Sequence, residues 1–291
     1  MRQYLGIDIG GTHVKYGVYS ETGEQVSAGG EMSSVRDDFD KILSILIEII
    51  NQFPDIDGIG LSVPGGVDKH TGIINAGGAC VALDQKDLRG ILHETFQVPV
   101  SIENDANCAI LAELWLGNGK GCENFICVTV GTGIGGGLVI DGKLHAGSHS
   151  FAGEFGCMIM DTTDNGYKIL SATAATSVLL EQIEDRTASG ITTGKELFEA
   201  LDQAEVKAVY DNWVRELTRG IYNVAVGIDP DKILIGGGIS AQPRLIEDIN
   251  AVLAEMKLYD FQWTAAPCLF GNDAGKIGAI YKLITTGGNM T

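Results

Sequence analysis

Gly131-Thr132-Gly133-Ile134-Gly135-Gly136-Gly137-Leu138-Val139-Ile140-Asp141-Gly142-Lys143-Leu144 follows the β-branched run Phe125 to Val130. Two nucleotide-binding patterns fit parts of it. Gly131, Gly133 and Gly136 match G-x-G-x-x-G, and Gly137 through Lys143 matches the start of a Walker A loop. Both fail on the residues after the glycines. A Rossmann turn must feed a helix, whereas Leu138-Val139-Ile140 reads as a strand closed by an Asp141-Gly142 hairpin turn. The Walker pattern needs Ser or Thr after its lysine, and Leu144 stands there. The stretch is therefore a β-hairpin with Thr132 at its tip.

The N-terminus repeats the device. Tyr4 to Ile9 is a short apolar strand, Gly10-Gly11-Thr12 turns it, and Val14 to Tyr19 leaves as a second strand. Glycine pairs with a hydroxyl allow close backbone approach to phosphates. Asp8 at the strand end can reach a metal-bound phosphate; a turn-stabilising Asp is the plainer alternative. The two hairpins suggest two related lobes.

Between them, Val98 to Ile102 is a strand that delivers Glu103-Asn104-Asp105, and Ala106 to Leu116 is a helix. Asp105 has two readings. It is a general base that takes a proton from a bound hydroxyl, or it is the helix N-cap, a position Asp favours. Asp37 to Phe53 has helical spacing, with Asp37 or Asp38 as cap. Gly58 to Val63 is a strand broken by Pro64-Gly65-Gly66, either a ligand-lining glycine pair or a good turn. Lys86 to Phe96 is a short helix.

Beyond the central hairpin, Glu154 lies between Gly153 and Gly156, poorly placed for a helix; it serves a ligand or is plain exposed surface. Ser177 to Ile183 and Lys195 to Leu201 are helices. Glu205 to Ile228 is a long core helix with Val209, Trp213, Leu217, Ile221, Val224 and Val226 apolar, ended by Asp229-Pro230. Lys232 to Ile235 is a strand, followed by Gly236-Gly237-Gly238 and a helix from Pro243 to Met256. That order suits adenosine or phosphate against bare backbone, or a simple βα connection. A helix from Ala274 to Thr286 crosses back to the first lobe, and Gly287 to Thr291 read as a frayed end.

Composition narrows the partners. The 291 residues carry a net charge of -18, which opposes non-specific binding to nucleic acid or anionic membranes. The 40 glycines have no repeat period, so they mark turns. Six cysteines without a Cys-x-x-Cys pair and without a visible secretory leader read as reduced thiols in a cytoplasm. No apolar run reaches membrane-spanning length.

Taken in order, Ile7-Asp8-Ile9-Gly10-Gly11-Thr12, Pro64-Gly65, Glu103-Asn104-Asp105-Ala106-Asn107, Gly131 to Gly137, Gly153-Glu154-Phe155-Gly156 and Ile235-Gly236-Gly237-Gly238 resemble the ROK family (repressors and sugar kinases) of the actin-like ATPase and hexokinase superfamily. The resemblance runs from Leu5 to about Ala279. It implies an α/β, two-lobed actin-like ATPase (ribonuclease H-like) fold with the active site in the interlobe cleft. The small lobe would be residues 1–117 plus 275–291, on the sugar and phosphate side. The large lobe would be 118–274, on the nucleotide side, with dimerisation through it expected by analogy.

The implied activity is transfer of the ATP γ-phosphoryl group to a hexose hydroxyl, O6 of glucose or a glucose-like sugar. A β-glucoside or an N-acetylmannosamine/N-acetylglucosamine substrate is the alternative. By position, the resemblance makes Asp105 the catalytic base. Asn104, Glu154, Gly65 and Gly66 would bind sugar. Asp8, Gly10, Gly11, Thr12, Thr132 and Gly133 would face phosphates and Mg²⁺, the ion held through ATP with Asp8 as a candidate ligand. Gly237 and Gly238 would face the nucleoside.

There are departures. Cys157 stands where the family has a histidine, and Met158 to Tyr167 lacks the cysteines of the usual zinc cluster, so no structural zinc is expected. The Asn-Leu-x-x-Trp sugar wall has no counterpart around Ala76 to Asp84, which leaves room for a substituted sugar. Two other classes compete with a kinase. One is a DNA-binding ROK repressor, for which a hairpin starting at residue 4 leaves no helix-turn-helix in this sequence. The other is an inactive sugar sensor, against which Asp105 and both hairpins argue.

Overall fold

The computed structural model describes residues 1–68, 70–75, 77–164, 166–257 and 261–286; the expected frayed end at Gly287 to Thr291 and part of the Ala76 to Asp84 comparison lie outside them. Strands β1 (Gln3–Ile9), β2 (His13–Ser20) and β3 (Gln25–Ser33) lead to helix α1 (Phe39–Asn51) and strand β4 (Gly58–Val63). The short strands β5 (Gly66–Val67) and β6 (Ile74–Asn75), helix α2 (Leu88–Phe96), strand β7 (Val100–Asn104) and helix α3 (Asp105–Trp115) come after them. Next are β8 (Phe125–Val130), β9 (Ile134–Ile140), β10 (Lys143–His145), β11 (Ile159–Thr163), β12 (Gly166–Ile169), α4 (Ser171–Ala174), α5 (Thr176–Thr187) and α6 (Gly194–Glu199). Helix α7 (Ala204–Ile228), β13 (Lys232–Gly236), α8 (Pro243–Met256), β14 (Ala265–Pro267) and α9 (Ala274–Thr286) complete the order.

The chain divides into two compact units, Met1–Gly117 with Asn272–Thr291, and Asn118–Gly271. Each is built on a five-stranded sheet of the same plan. In the first the order is β3-β2-β1-β4-β7, in the second β10-β9-β8-β13-β14. In both, an antiparallel hairpin (β1 with β2, β8 with β9) is flanked by strands parallel to its first arm. The central parallel strand β4 is buried along its whole length, as a strand covered on both faces must be.

In the first unit α9 lies directly on the sheet. A Cβ at Gly6 would meet the Lys276 carbonyl at 2.6 Å, and one at Gly60 the Ala279 carbonyl at 2.5 Å. Glycine at both positions leaves a trough that takes the helix backbone. Helix α1 begins where Asp38 accepts the Lys41 N–H, and it buries Ile42, Leu46, Ile49 and Ile50 on one stripe. In the second unit α7 is the central core helix. It buries Val206, Val209, Tyr210, Trp213, Leu217 and Ile221, and the buried Trp213 indole N–H donates to the Ala175 carbonyl at 3.1 Å. Truncating Trp213 to alanine would cost about 3–5 kcal/mol.

Some expectations need correction. Val226 is exposed, because the apolar stripe of α7 passes through Ala225 instead. Helix α2 starts at Leu88, since Asp87 caps it through the Gly90 N–H. Strand β3 and the β11–β12 hairpin are absent from the sequence expectations; both are largely exposed, so neither carries an alternating apolar pattern.

Candidate active site

In the first unit β1 and β2 meet at Gly10-Gly11-Thr12, closed by Gly10 N–H donating to the His13 carbonyl at 2.9 Å. The tip is held by its carbonyls. Arg36 Nε donates to Gly11 O at 2.9 Å, and Ser34 N–H to Thr12 O at 2.9 Å. The amides of Gly11 and Thr12 donate to nothing among the described residues. The second unit repeats this. Gly131 N–H donates to Gly133 O at 2.9 Å, while Thr176 N–H and Ser177 Oγ tie the carbonyls of Gly131 and Thr132 at 2.8 Å each. The amides of Thr132 and Gly133 are left unpaired among the described residues. Successive free N–H groups on a tip anchored through its carbonyls make a concavity suited to phosphate oxygens. Neither Arg36 nor Ser177 stands out in the sequence, because only the fold brings them to the hairpins.

Asp8, Ser62 and Glu103 lie side by side on β1, β4 and β7, with Lys15 of β2 opposite Asp8. Ser62 Oγ donates to Asp8 Oδ1 at 2.5 Å, and among the described residues the Asp8 carboxylate accepts no hydrogen bond from the Gly10-Gly11-Thr12 turn. Burial pushes the Asp8 carboxyl above its ordinary value, opposed by the Ser62 hydrogen bond and by the charges of Lys15 and Lys276. Its second oxygen accepts no hydrogen bond among the described residues. A hard carboxylate oxygen of this kind fits Mg²⁺, which usually takes one or two carboxylates plus phosphate and water.

The rival reading of Asp105 is resolved by its neighbour. Asn104 is the N-cap of α3, its Oδ1 accepting the Asn107 N–H at 3.1 Å. Asp105 is the first helical residue. Its Oδ1 accepts the Ala106 N–H at 2.8 Å and Asn104 Nδ2 at 3.0 Å, and its Oδ2 has no partner among the described residues. Burial raises the Asp105 pKa, with a further push from the Asp8 charge and opposition from the Ala106 and Asn104 hydrogen bonds. The residue remains open to solvent, so the effect is that of a partly enclosed carboxylate at a helix start.

Asn104 Nδ2 also donates to Gly65 O at 2.8 Å, and Gly65 holds a φ of 90° that glycine adopts freely. Both amide protons of Asn104 are thus engaged, and its open valence is an acceptor. The structure brings Gly65, Asn104, Asp105 and Asp8 together. Gly66 lies one residue further, on β5, paired with Asn75.

In the second unit Glu154 precedes a single 3₁₀ turn, Phe155–Cys157. The surrounding glycines have a packing reason. A Cβ at Gly153 would meet Gly137 Cα at 2.5 Å, and one at Gly136 would meet the buried Phe155 ring at 2.5 Å. The turn is pressed flat on β9, and the exposed Glu154 side chain has no partner among the described residues. Gly237 (φ 91°) abuts the Val130 backbone, whereas a Cβ at Gly238 would meet open space. Among the described residues no group of three or more His, Cys, Asp or Glu could hold a metal.

The crystal structure of a ROK family protein from Streptococcus pneumoniae in complex with sucrose superposes with a TM-score of 0.90 at 28% identity, covering 98% of this chain and 99% of that one. With the duplicated sheet and hairpins, this places the chain in the actin-like ATPase fold class. The family model for the ROK family matches residues 4–285. The chain belongs to the ROK family, and its enzymatic class is that of an ATP-dependent carbohydrate kinase. A β-glucoside kinase of Listeria monocytogenes is 37% identical over 95% of this chain and 96% of its own length. A glucokinase of Halalkalibacterium halodurans is 32% identical over 95% and 93%.

Proposed function

We propose that this kinase phosphorylates β-glucosides, transferring the ATP γ-phosphoryl group to the 6-hydroxyl of the glucose unit. The observation that carries the chemistry is the split carboxylate of Asp105: one oxygen held by two donors, the other without a partner among the described residues. Three relatives at 33–37% identity bear the name β-glucoside kinase, which favours that substrate over free glucose.

In this reading the free Asp105 Oδ2 takes the hydroxyl proton as the oxygen bonds to γ-phosphorus and the bond to the β-phosphate oxygen breaks, releasing ADP. Its raised pKa makes it a better base than an exposed carboxylate at neutral pH. Asn104 accepts a hydrogen bond from a sugar hydroxyl, and Gly65, Gly66 and Glu154 complete sugar binding. The unpaired amides of Gly11, Thr12, Thr132 and Gly133 hold phosphate oxygens, with Gly10 setting the first turn, and Gly237 and Gly238 take the nucleoside. Mg²⁺, when bound, neutralises phosphate charge, and Asp8 would hold it.

ADP release with cellobiose, an aryl β-glucoside, glucose, N-acetylglucosamine and N-acetylmannosamine tests this. A kcat/KM for the β-glucosides at least about tenfold above that for glucose is expected, with the product phosphorylated at O6. Preference for free glucose would replace the substrate assignment, and no turnover with any sugar would favour a sensor.

A further inference from the structure

Glu103 stands in the same motif as Asp105, yet the proposed reaction does not use it. It is buried, at 9% exposure, and its carboxylate is fully engaged. Oε1 accepts the Asn104 N–H at 3.0 Å and Asn107 Nδ2 at 2.9 Å, and Oε2 accepts Lys282 Nζ at 2.8 Å. Three elements meet there: the C-terminal end of β7, the first turn of α3 and the C-terminal half of α9. The bonded groups are those that set Asp105. Asn104 donates to Asp105 Oδ1 and to Gly65 O, and the Asn107 N–H is what Asn104 Oδ1 caps.

We propose that Glu103 and Lys282 are a positioning pair that fixes the β7–α3 junction and so aims the free oxygen of Asp105. The pair touches no reacting atom; it acts through Asn104 and Asn107. A carboxylate is required because one group must accept three donors from three directions. A buried carboxylate is tolerated only when paired, and Lys282 supplies the charge from α9. The same helix places Gly275 against Asp8, so α9 orders both carboxylates of the first unit. A plain structural ion pair would tie α9 down without affecting turnover in particular.

The inference rests on Asp105 being the base, and the test separates the two. K282M, K282R and E103Q are assayed beside D105N with ATP and cellobiose, with Tm recorded for each. K282M and E103Q are expected to lower kcat about tenfold or more, with KM for ATP within about threefold, because a small misplacement of a catalytic group is costly. K282R, which keeps the pair, should return kcat to within about threefold of wild type. In a D105N background K282M should lower the residual rate by less than about twofold, since groups acting as a unit are non-additive. If K282M does not fold, E103Q decides, because glutamine keeps an acceptor for the fold but loses the charged pair with Lys282 that holds the group in place. Wild-type kcat in both K282M and E103Q beside an inactive D105N would overturn the positioning role. An equal loss with and without Asp105 would do the same. An active D105N would instead overturn the base assignment.

Discussion

Gly275→Ala is a one-carbon change whose consequence can be worked from contacts. A Cβ at Gly275 would lie 2.5 Å from both Cγ and Oδ1 of Asp8 and 2.9 Å from Oδ2. Something must move by several tenths of an ångström. Helix α9 cannot retreat easily, because Gly6 and Gly60 receive its backbone and Gly278 abuts the Cys108 carbonyl. The β1 backbone is fixed by β2 and β4 on either side. The Asp8 carboxylate is the part free to turn, and turning breaks its 2.5 Å hydrogen bond from Ser62. Overpacking of this kind costs about 1–3 kcal/mol, and alanine returns about 1 kcal/mol of helix propensity. The net loss of about 0–2 kcal/mol lowers Tm by at most about 8 °C. A carboxylate displaced by about 1 Å can cost on the order of 10²-fold in rate. Thermal melts and kcat/KM measured across a Mg²⁺ titration should therefore show a nearly native fold with activity down about 10–100-fold. Native activity at a native Tm would refute both the fixed placement of Asp8 and its proposed role.

The same geometry sets other outcomes. Glu154→Ala removes a side chain with no partner among the described residues, so Tm should not change; KM for the sugar should rise by about 10–100-fold, the range of a hydrogen bond to a charged group, and an unchanged KM would remove Glu154 from the sugar site. Asp105→Asn should raise stability at pH 8. The folded-state pKa of Asp105 is raised by burial and by Asp8, so its contribution to stability is present below the ordinary carboxylate range and lost as pH rises through the folded value. The Tm advantage of D105N should vanish below about pH 4, and a D105N less stable than wild type at pH 8 would contradict the shift.

The hairpins are legible in the sequence because glycine runs followed by β-branched residues and an Asp-Gly turn have one local solution. Asp105 is legible as a helix-start carboxylate, but whether it caps the helix is not. That depends on Asn104 taking the cap, which a sequence with two adjacent cap-forming residues leaves open. The glycines of α9 are opaque. In a helix glycine reads as a weak point, and its reason here is contact with Asp8 and Cys108, more than 160 residues away. Glu103 and Lys282 are 179 positions apart, and no local pattern links them. Local periodicity carries elements and turns, whereas the supporting groups behind the candidate base are set by the return of the C-terminal helix.

The proposed chemistry stands on Asp105 as the base. Asparagine can place its amide oxygen where Oδ1 accepts the Ala106 and Asn104 hydrogens, so only the basicity of the free oxygen is lost. Titration of cellobiose into D105N by calorimetry, followed by kcat with ATP, separates binding from chemistry. Sugar affinity within about threefold of wild type, with kcat lower by about 10²–10⁴-fold, is the predicted result. Wild-type turnover in D105N would contradict it.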